Sequence, residues 1–178
     1  MEALEIKYTY EDYLHLPDDG KIYQIVGGKL HRMPAPVPYH QRVSRKLELI
    51  LDEYVTEKGL GEVFDAPCDV VLSDEDVVQP DIFFISKERE YIIGDKNIQG
   101  APDLIVEILS PRSEYLDRKV KVELYEEYGV KEYWLVDAGR KEVEVLRLTG
   151  RGYKSEGAFD KSVYSPLLKL EVNLSVVF

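Results

Sequence analysis

The chain has 178 residues and one cysteine, Cys68, so it can form no intrachain disulfide and build no cysteine-rich zinc module. Its three histidines show no His-x-x-x-His spacing, and neither a GxGxxG turn nor a P-loop occurs. No apolar run approaches the roughly 18 residues needed for a membrane-crossing helix. The opening residues, Met1-Glu2-Ala3-Leu4-Glu5, are acidic and lack a signal-type apolar stretch. These absences predict a cytoplasmic protein without a membrane partner. Basic residues are also in deficit: 23 Lys and Arg stand against 34 Asp and Glu, for a net charge of −11. The acids concentrate in 1–20 and 59–90. Such a balance excludes a general nucleic-acid coating protein or an anionic-membrane binder, but not an enzyme that grips nucleic acid through one local patch. There is no internal repeat and no low-complexity segment.

What is present reads as an ordinary globular chain, 44% hydrophobic and 32% charged, long enough for one domain with a real core. Thr9 and Asp12 form a capping-box variant that opens a short helix. Tyr23 to Val26 and Lys29 to Met33 are strand-like runs joined by Gly27-Gly28, a tight-hairpin signal. The three prolines from Pro34 to Pro38 make a loop. A helix is expected from about Tyr39 to Lys58, with Val43, Leu47, Ile50, Leu51, Tyr54 and Val55 on one face and Gly59 as its stop. Strands are expected at 62–64 and 69–72, and Ser73 to Asp76 reads as a solvated turn. Asp81 to Ile85 and Leu104 to Leu109 are apolar on both parities and predict central strands covered on both faces. Between them lies a polar loop, about 86–100, expected to be mobile. Ser110-Pro111-Arg112-Ser113 ends the second run and caps a helix over about 113–128. Strands follow at 132–136, 142–148 and 152–156, and a parity slip between Val145 and Leu146 predicts a bulge. The tail from Val163 is extended around Pro166. The order predicts a mixed α/β or α+β domain with two main helices on one sheet.

Glu107 is the most informative residue, because the other five members of its run are aliphatic. A bare buried carboxylate there would cost several kcal/mol, so it must reach a basic partner, a metal or water. Asp81 follows Pro80 at the start of the other apolar strand, either as a strand-end acid or as a second site carboxylate. Two such acids meeting across a sheet would repel unless a divalent cation bound between them. In the second helix, Asp117 and Lys121 flank the stripe Leu116, Val120, Leu124 at about 100° per residue. They read as a surface i,i+4 pair or as groups reaching inward. His40 opens the first main helix, as a helix-terminal residue or a ligand. Arg42, Arg45 and Lys46 are balanced by Glu48, Asp52, Glu53 and Glu57 and read as a solvated face.

Taken in order, several segments form a pattern. They are Thr9-Tyr-Glu-Asp-Tyr-Leu-His-Leu-Pro17, the Tyr23 hairpin, His40-Gln41, Gln79-Pro80-Asp81, the run Ala101 to Pro111 that contains Glu107, Asp117-x-x-x-Lys121-x-x-x-Tyr125, and Gly129 to Asp137. This pattern resembles the Uma family of restriction endonucleases, a branch of the PD-(D/E)xK nuclease superfamily, over about residues 8–150. The resemblance implies a restriction-endonuclease-like fold: a mixed central sheet flanked by two main helices, with an N-terminal helix and β-hairpin. On that reading residues 1–178 are one domain and 151–178 a C-terminal β extension.

The resemblance also implies a Mg²⁺ or Mn²⁺ site made by Asp81 and Glu107, with the Leu109 backbone carbonyl as a further ligand. The superfamily's lysine usually stands two residues after the acid, where this chain has Leu109; the branch pattern moves that role to Lys121. Asp117 would position Lys121, while Gln24 and His40 would be supporting or substrate contacts. The family hairpin usually reads Tyr-Glu-Leu-Ile-Asp-Gly-Glu-Leu, so Gln24 replaces a carboxylate. The implied function is metal-dependent endonuclease hydrolysis of phosphodiester bonds in DNA by a homodimer. The alternative is an inactive binding or assembly module on the same scaffold, in which the acids and Lys121 form a buried salt-bridge cluster and Tyr125, Tyr128 and Tyr133 are available to a dimer interface.

Overall fold

The computed structural model describes residues 6–178. Thr9 caps α1 (Tyr10–Leu14): its hydroxyl accepts from the Asp12 amide while the Asp12 carboxylate accepts from the Thr9 amide. β1 (Ile22–Val26) and β2 (Lys29–Met33) pair antiparallel across Gly27 and Gly28, at φ 58° and 74°. Two consecutive left-handed residues are what a two-residue hairpin turn of this hand requires.

α2 (Pro38–Lys58) begins one residue earlier than its periodicity suggests, because a proline needs no amide partner in the first helical turn. It buries Val43, Leu47, Leu51 and Val55 and ends at Gly59, φ 62°. After it come β3 (Gly61–Asp65), β4 (Val70–Ser73), β5 (Asp76–Val78), β6 (Ile82–Ser86), β7 (Ile98–Gln99) and β8 (Leu104–Ile108). A π-helical turn over Leu116–Val120 leads into α3 (Lys121–Glu127). β9 (Glu132–Asp137), β10 (Glu142–Thr149), β11 (Gly152–Phe159) and the hairpin of β12 (Ser162–Ser165) with β13 (Leu170–Asn173) complete the order. The register slip between Val145 and Leu146 is present where the apolar parity places it.

The main sheet runs β11-β10-β9-β8-β6-β3, antiparallel except for the parallel β8–β9 pair. All five residues of β8 are buried, as expected for a strand covered on both faces. One face carries Ile82, Phe84, Leu104, Val106 and Trp134 against α2 and the C-terminal hairpin. The other carries Phe83, Ile85, Ile105 and Tyr133 against Leu124 and Tyr125 of α3.

Four expectations change. The strands form two principal sheets, not one: β2-β1-β5-β4-β7 is a second, five-stranded sheet. Segment 86–100 is not an irregular loop; it holds a 3-10 helix, Lys87–Ile92, and β7, which buries Ile98 beside β4. Asp76 is not a solvated turn acid. It is 7% exposed and accepts bonds from the Gly27 amide, the Ser73 hydroxyl and the Tyr128 hydroxyl, so a polar residue begins β5. Finally, Tyr125 and Tyr133 have no solvent exposure, so they pack the core and cannot line an interface.

Candidate active site

The site lies where β6 and β8 run side by side. Ile82 faces Val106 in antiparallel register, so the next position along the pair sets Asp81 beside Glu107. Asp81 stands just before β6, and its Oδ2 accepts the Ile108 amide at 2.7 Å. His40, in the first turn of α2, brings Nε2 to 3.3 Å from the same oxygen. Burial lowers the His40 pKa, but the hydrogen bond and charge of Asp81 outweigh it, so the imidazole titrates above its ordinary value. Ile108, more than Leu109, is the backbone neighbour of this pair. The Leu109 amide turns the other way and donates to the Val136 carbonyl.

Glu107 faces the opposite helix. Its Oε1 receives Lys121 Nζ at 2.8 Å and the Tyr125 hydroxyl at 2.9 Å. Lys121 Nζ also lies 3.1 Å from Asp117 Oδ1, one turn earlier on the helix. Lys121 has no solvent exposure, and Asp117 is 2% exposed. The π turn explains why both face inward. It inserts an extra residue per turn and widens the inward face, so Asp117, Lys121 and Tyr125 are buried alongside Leu116 and Leu124. Val120 is left only partly buried. The Tyr133 hydroxyl fixes the turn by donating to the Asp117 carbonyl at 3.0 Å.

Two carboxylates, Glu107 and Asp117, thus hold one ammonium, with Asp81 on the neighbouring strand. Burial drives the Glu107 pKa well above the carboxylate range; Lys121 pulls it down, while Asp117 and Asp81 push it back up. Burial opposes the charge on Lys121 as well, but Glu107 and Asp117 hold it firmly protonated.

Gln24 projects from β1 and is 2% exposed. Its Nε2 donates to the Gln79 carbonyl, two residues before Asp81, at 3.3 Å, while its Oε1 is buried with no hydrogen-bond partner. Gln79 is itself clamped, donating to Asp69 Oδ1 and to the Tyr13 hydroxyl. Sequence reasoning gave Tyr125 only an interface role and assigned no site role to Gln79, Asp69 or Tyr13. The i,i+4 step from Lys121 to Tyr125 was a usable signal for the first. The others meet across 10 to 66 residues of sequence and left none.

Among the described residues no three His, Cys, Asp or Glu side chains converge as a ready metal cage. The oxygens still suit a hard divalent cation, which takes oxygen ligands and keeps several waters. Both bonds to Glu107 fall on Oε1, and both contacts to Asp81 fall on Oδ2. That leaves Glu107 Oε2, Asp81 Oδ1 and the unpartnered Gln24 Oε1 as donors.

The family model described as "Uma2: Putative restriction endonuclease" matches residues 10–176. The chain belongs to this family. The match extends through the C-terminal hairpin, beyond the segments that carry the sequence resemblance. A crystal structure of a putative nuclease belonging to DUF820 from Anabaena variabilis ATCC 29413 superposes with a TM-score of 0.80 at 21% identity, covering 96% of this chain and 97% of that one. At that identity the likeness establishes the fold, a mixed α/β fold. No curated protein matches the chain. No helix among the described residues is long and apolar enough to cross a membrane.

Proposed function

We propose that this Uma2-family chain is a Mg²⁺- or Mn²⁺-dependent endonuclease that hydrolyses phosphodiester bonds in DNA, working in the cytoplasm. The observation that carries the reading is the joining of two strand carboxylates, Asp81 and Glu107, to a buried lysine, Lys121, 2.8 Å from Glu107. Asp81, Glu107 and Gln24 would hold the ion, with the Ile108–Leu109 backbone beside it. When bound, the ion polarises the scissile phosphate and lowers the pKa of an attacking water. Lys121 orients that water and stabilises charge developing on the phosphate. Asp117 holds the Lys121 ammonium in position, and His40 holds Asp81.

Calorimetric titration of Mg²⁺ and Mn²⁺ into the wild type, Asp81→Ala and Glu107→Ala tests the site, followed by a DNA cleavage screen. The reading expects metal heat in the wild type and its loss in both variants. An absence of heat in the wild type, even with DNA present, overturns it. A homodimer belongs to the same reading, since one such site cuts one strand. Light scattering that returns only the 20.5 kDa monomer with DNA bound would remove that part.

The second reading is a binding or assembly module without catalysis. It is favoured by one observation: Lys121 already has two carboxylate partners, so the pair is closed without a metal. A folded wild type that binds no divalent ion and cuts no DNA would select it.

A further inference from the structure

A groove of about 740 Å³ runs from the β1–β2 hairpin to the start of the π turn. Its charged lining is all basic: Lys21, Arg32 and Arg112, with His31 among them and no carboxylate in the wall. In a chain of net charge −11 that concentration of cations stands apart. Lys21 is paired with Asp19, whereas Arg32 and Arg112 are exposed and have no ion-pair partner among the described residues.

The groove adjoins the active site. His31 sits opposite Gln24 in the hairpin register and is held below its ordinary pKa by burial and then by the Lys121 charge. Leu116 and Val120 in the wall flank Asp117 and Lys121 on the same helical segment. Apart from Ser113, the remainder of the wall is largely apolar, with Ile22, Met33, Pro34, Ala35 and Pro36. Tyr115 in the lining is 76% exposed, while Leu116 beside it and Ser113 two residues before it are buried. Its ring therefore stands in solvent beside the groove.

We propose that this groove seats an unpaired DNA strand, with Arg32 and Arg112 on its phosphates and Tyr115 stacked on a base. A duplex offers phosphates, sugars and groove edges on its outside, so an apolar wall and a free aromatic ring would find little to bind. An unpaired strand exposes base faces beside its phosphates, and base–aromatic stacking is tolerant of sequence. The inference rests on the reading of Asp81, Glu107 and Lys121 as a phosphodiester site, and it specifies which form of the strand that site receives.

The test is fluorescence anisotropy with Ca²⁺ present, using the full chain and a labelled oligonucleotide, single-stranded or annealed to its complement. We expect the single strand to bind at least tenfold more tightly. Tyr115→Ala should weaken single-strand binding about tenfold and leave duplex binding unchanged. Arg32→Ala with Arg112→Ala should flatten the logarithmic salt dependence by about 1.4, two contacts at roughly 0.7 each. Equal or tighter duplex binding, no effect of Tyr115→Ala, or no binding to either form overturns the proposal. Single-strand binding that persists while Mg²⁺ supports no cleavage would instead overturn the nuclease reading and leave the groove assignment standing.

Discussion

The Lys121 ammonium lies 2.8 Å from Glu107 Oε1, and the lysine side chain has no solvent exposure. Two charges taken this far from water gain little net stability from each other, but removing one leaves the other uncompensated. With Asp117 on the same ammonium and Asp81 on the next strand, ionising Glu107 leaves the cluster with more negative than positive charge, which is part of why its pKa is raised. A divalent cation would correct that imbalance, and the carboxylate oxygens left without close contacts, Glu107 Oε2 and Asp81 Oδ1, are the ones available to it.

Lys121→Met should therefore destabilise the metal-free protein by about 3–5 kcal/mol, since Glu107 and Asp117 lose their shared counter-charge. Adding Glu107→Gln to that variant should recover part of the loss. Denaturant unfolding of the single and double variants measures both effects. A single-variant loss below about 1 kcal/mol would show that the ammonium does not hold the cluster together.

Asp81→Ala and Glu107→Ala should each lower metal-dependent cleavage by about 100-fold or more while leaving the circular dichroism spectrum native. The structure gives the two variants different side effects. Asp81→Ala removes the acceptor of the Ile108 amide and the partner of His40. Glu107→Ala removes one of the two partners of Lys121 but leaves Asp117, so the ammonium stays paired. Wild-type rates in either variant would remove that residue from the site.

The strands that carry Asp81 and Glu107 were legible because doubly buried strands read as unbroken apolar runs, and an acid inside one has to be explained. The hairpin and both main helices were legible from glycine positions and apolar period. The second sheet was not, because β5 and β7 have only three and two residues and β5 begins with an aspartate. Nothing local distinguishes Asp76 from its neighbours, exposed Asp74 and half-buried Glu75; what buries it is the distant pair Gly27 and Tyr128. The wheel let Lys121 reach inward but placed it beside the stripe. A π turn has no sequence signature comparable to a cap, so the widening that puts Lys121 and Tyr125 squarely in the core could not be read in advance.

Stability of the metal-free protein should fall as pH rises through neutrality. Burial, reinforced by Asp117 and Asp81, raises the folded-state Glu107 pKa from 4.5 to about 8. Between those values the native state keeps a proton that the unfolded chain releases, so each step up in pH favours unfolding. His40 acts with the same sign: its folded-state pKa lies above 6.5, so the stability it contributes is present below that value and disappears as pH passes the raised one. Melting temperatures from pH 5 to 9 should decline, and Glu107→Gln should flatten the profile. Saturating Mn²⁺ should flatten it too if the cation neutralises Glu107. A profile that rises over this range would contradict the raised Glu107 pKa.

Gln24→Glu should strengthen divalent-metal binding on the order of tenfold. The Gln24 side chain is buried, and its Oε1 is already unpartnered, so the substitution adds charge at an oxygen with no competing hydrogen bond. The same change replaces the amide that donates to the Gln79 carbonyl and adds a further carboxylate near Asp81. Without metal the variant should therefore melt below the wild type, and with metal the gap should close or reverse. Calorimetry and melting with and without Mn²⁺ read the two effects separately. Tighter binding together with metal-dependent rescue of stability would identify Gln24 as a ligand position whose lost charge weakens this site. A lower melting temperature with unchanged metal affinity would assign Gln24 a purely structural role, bracing Gln79 and the strand start at Asp81.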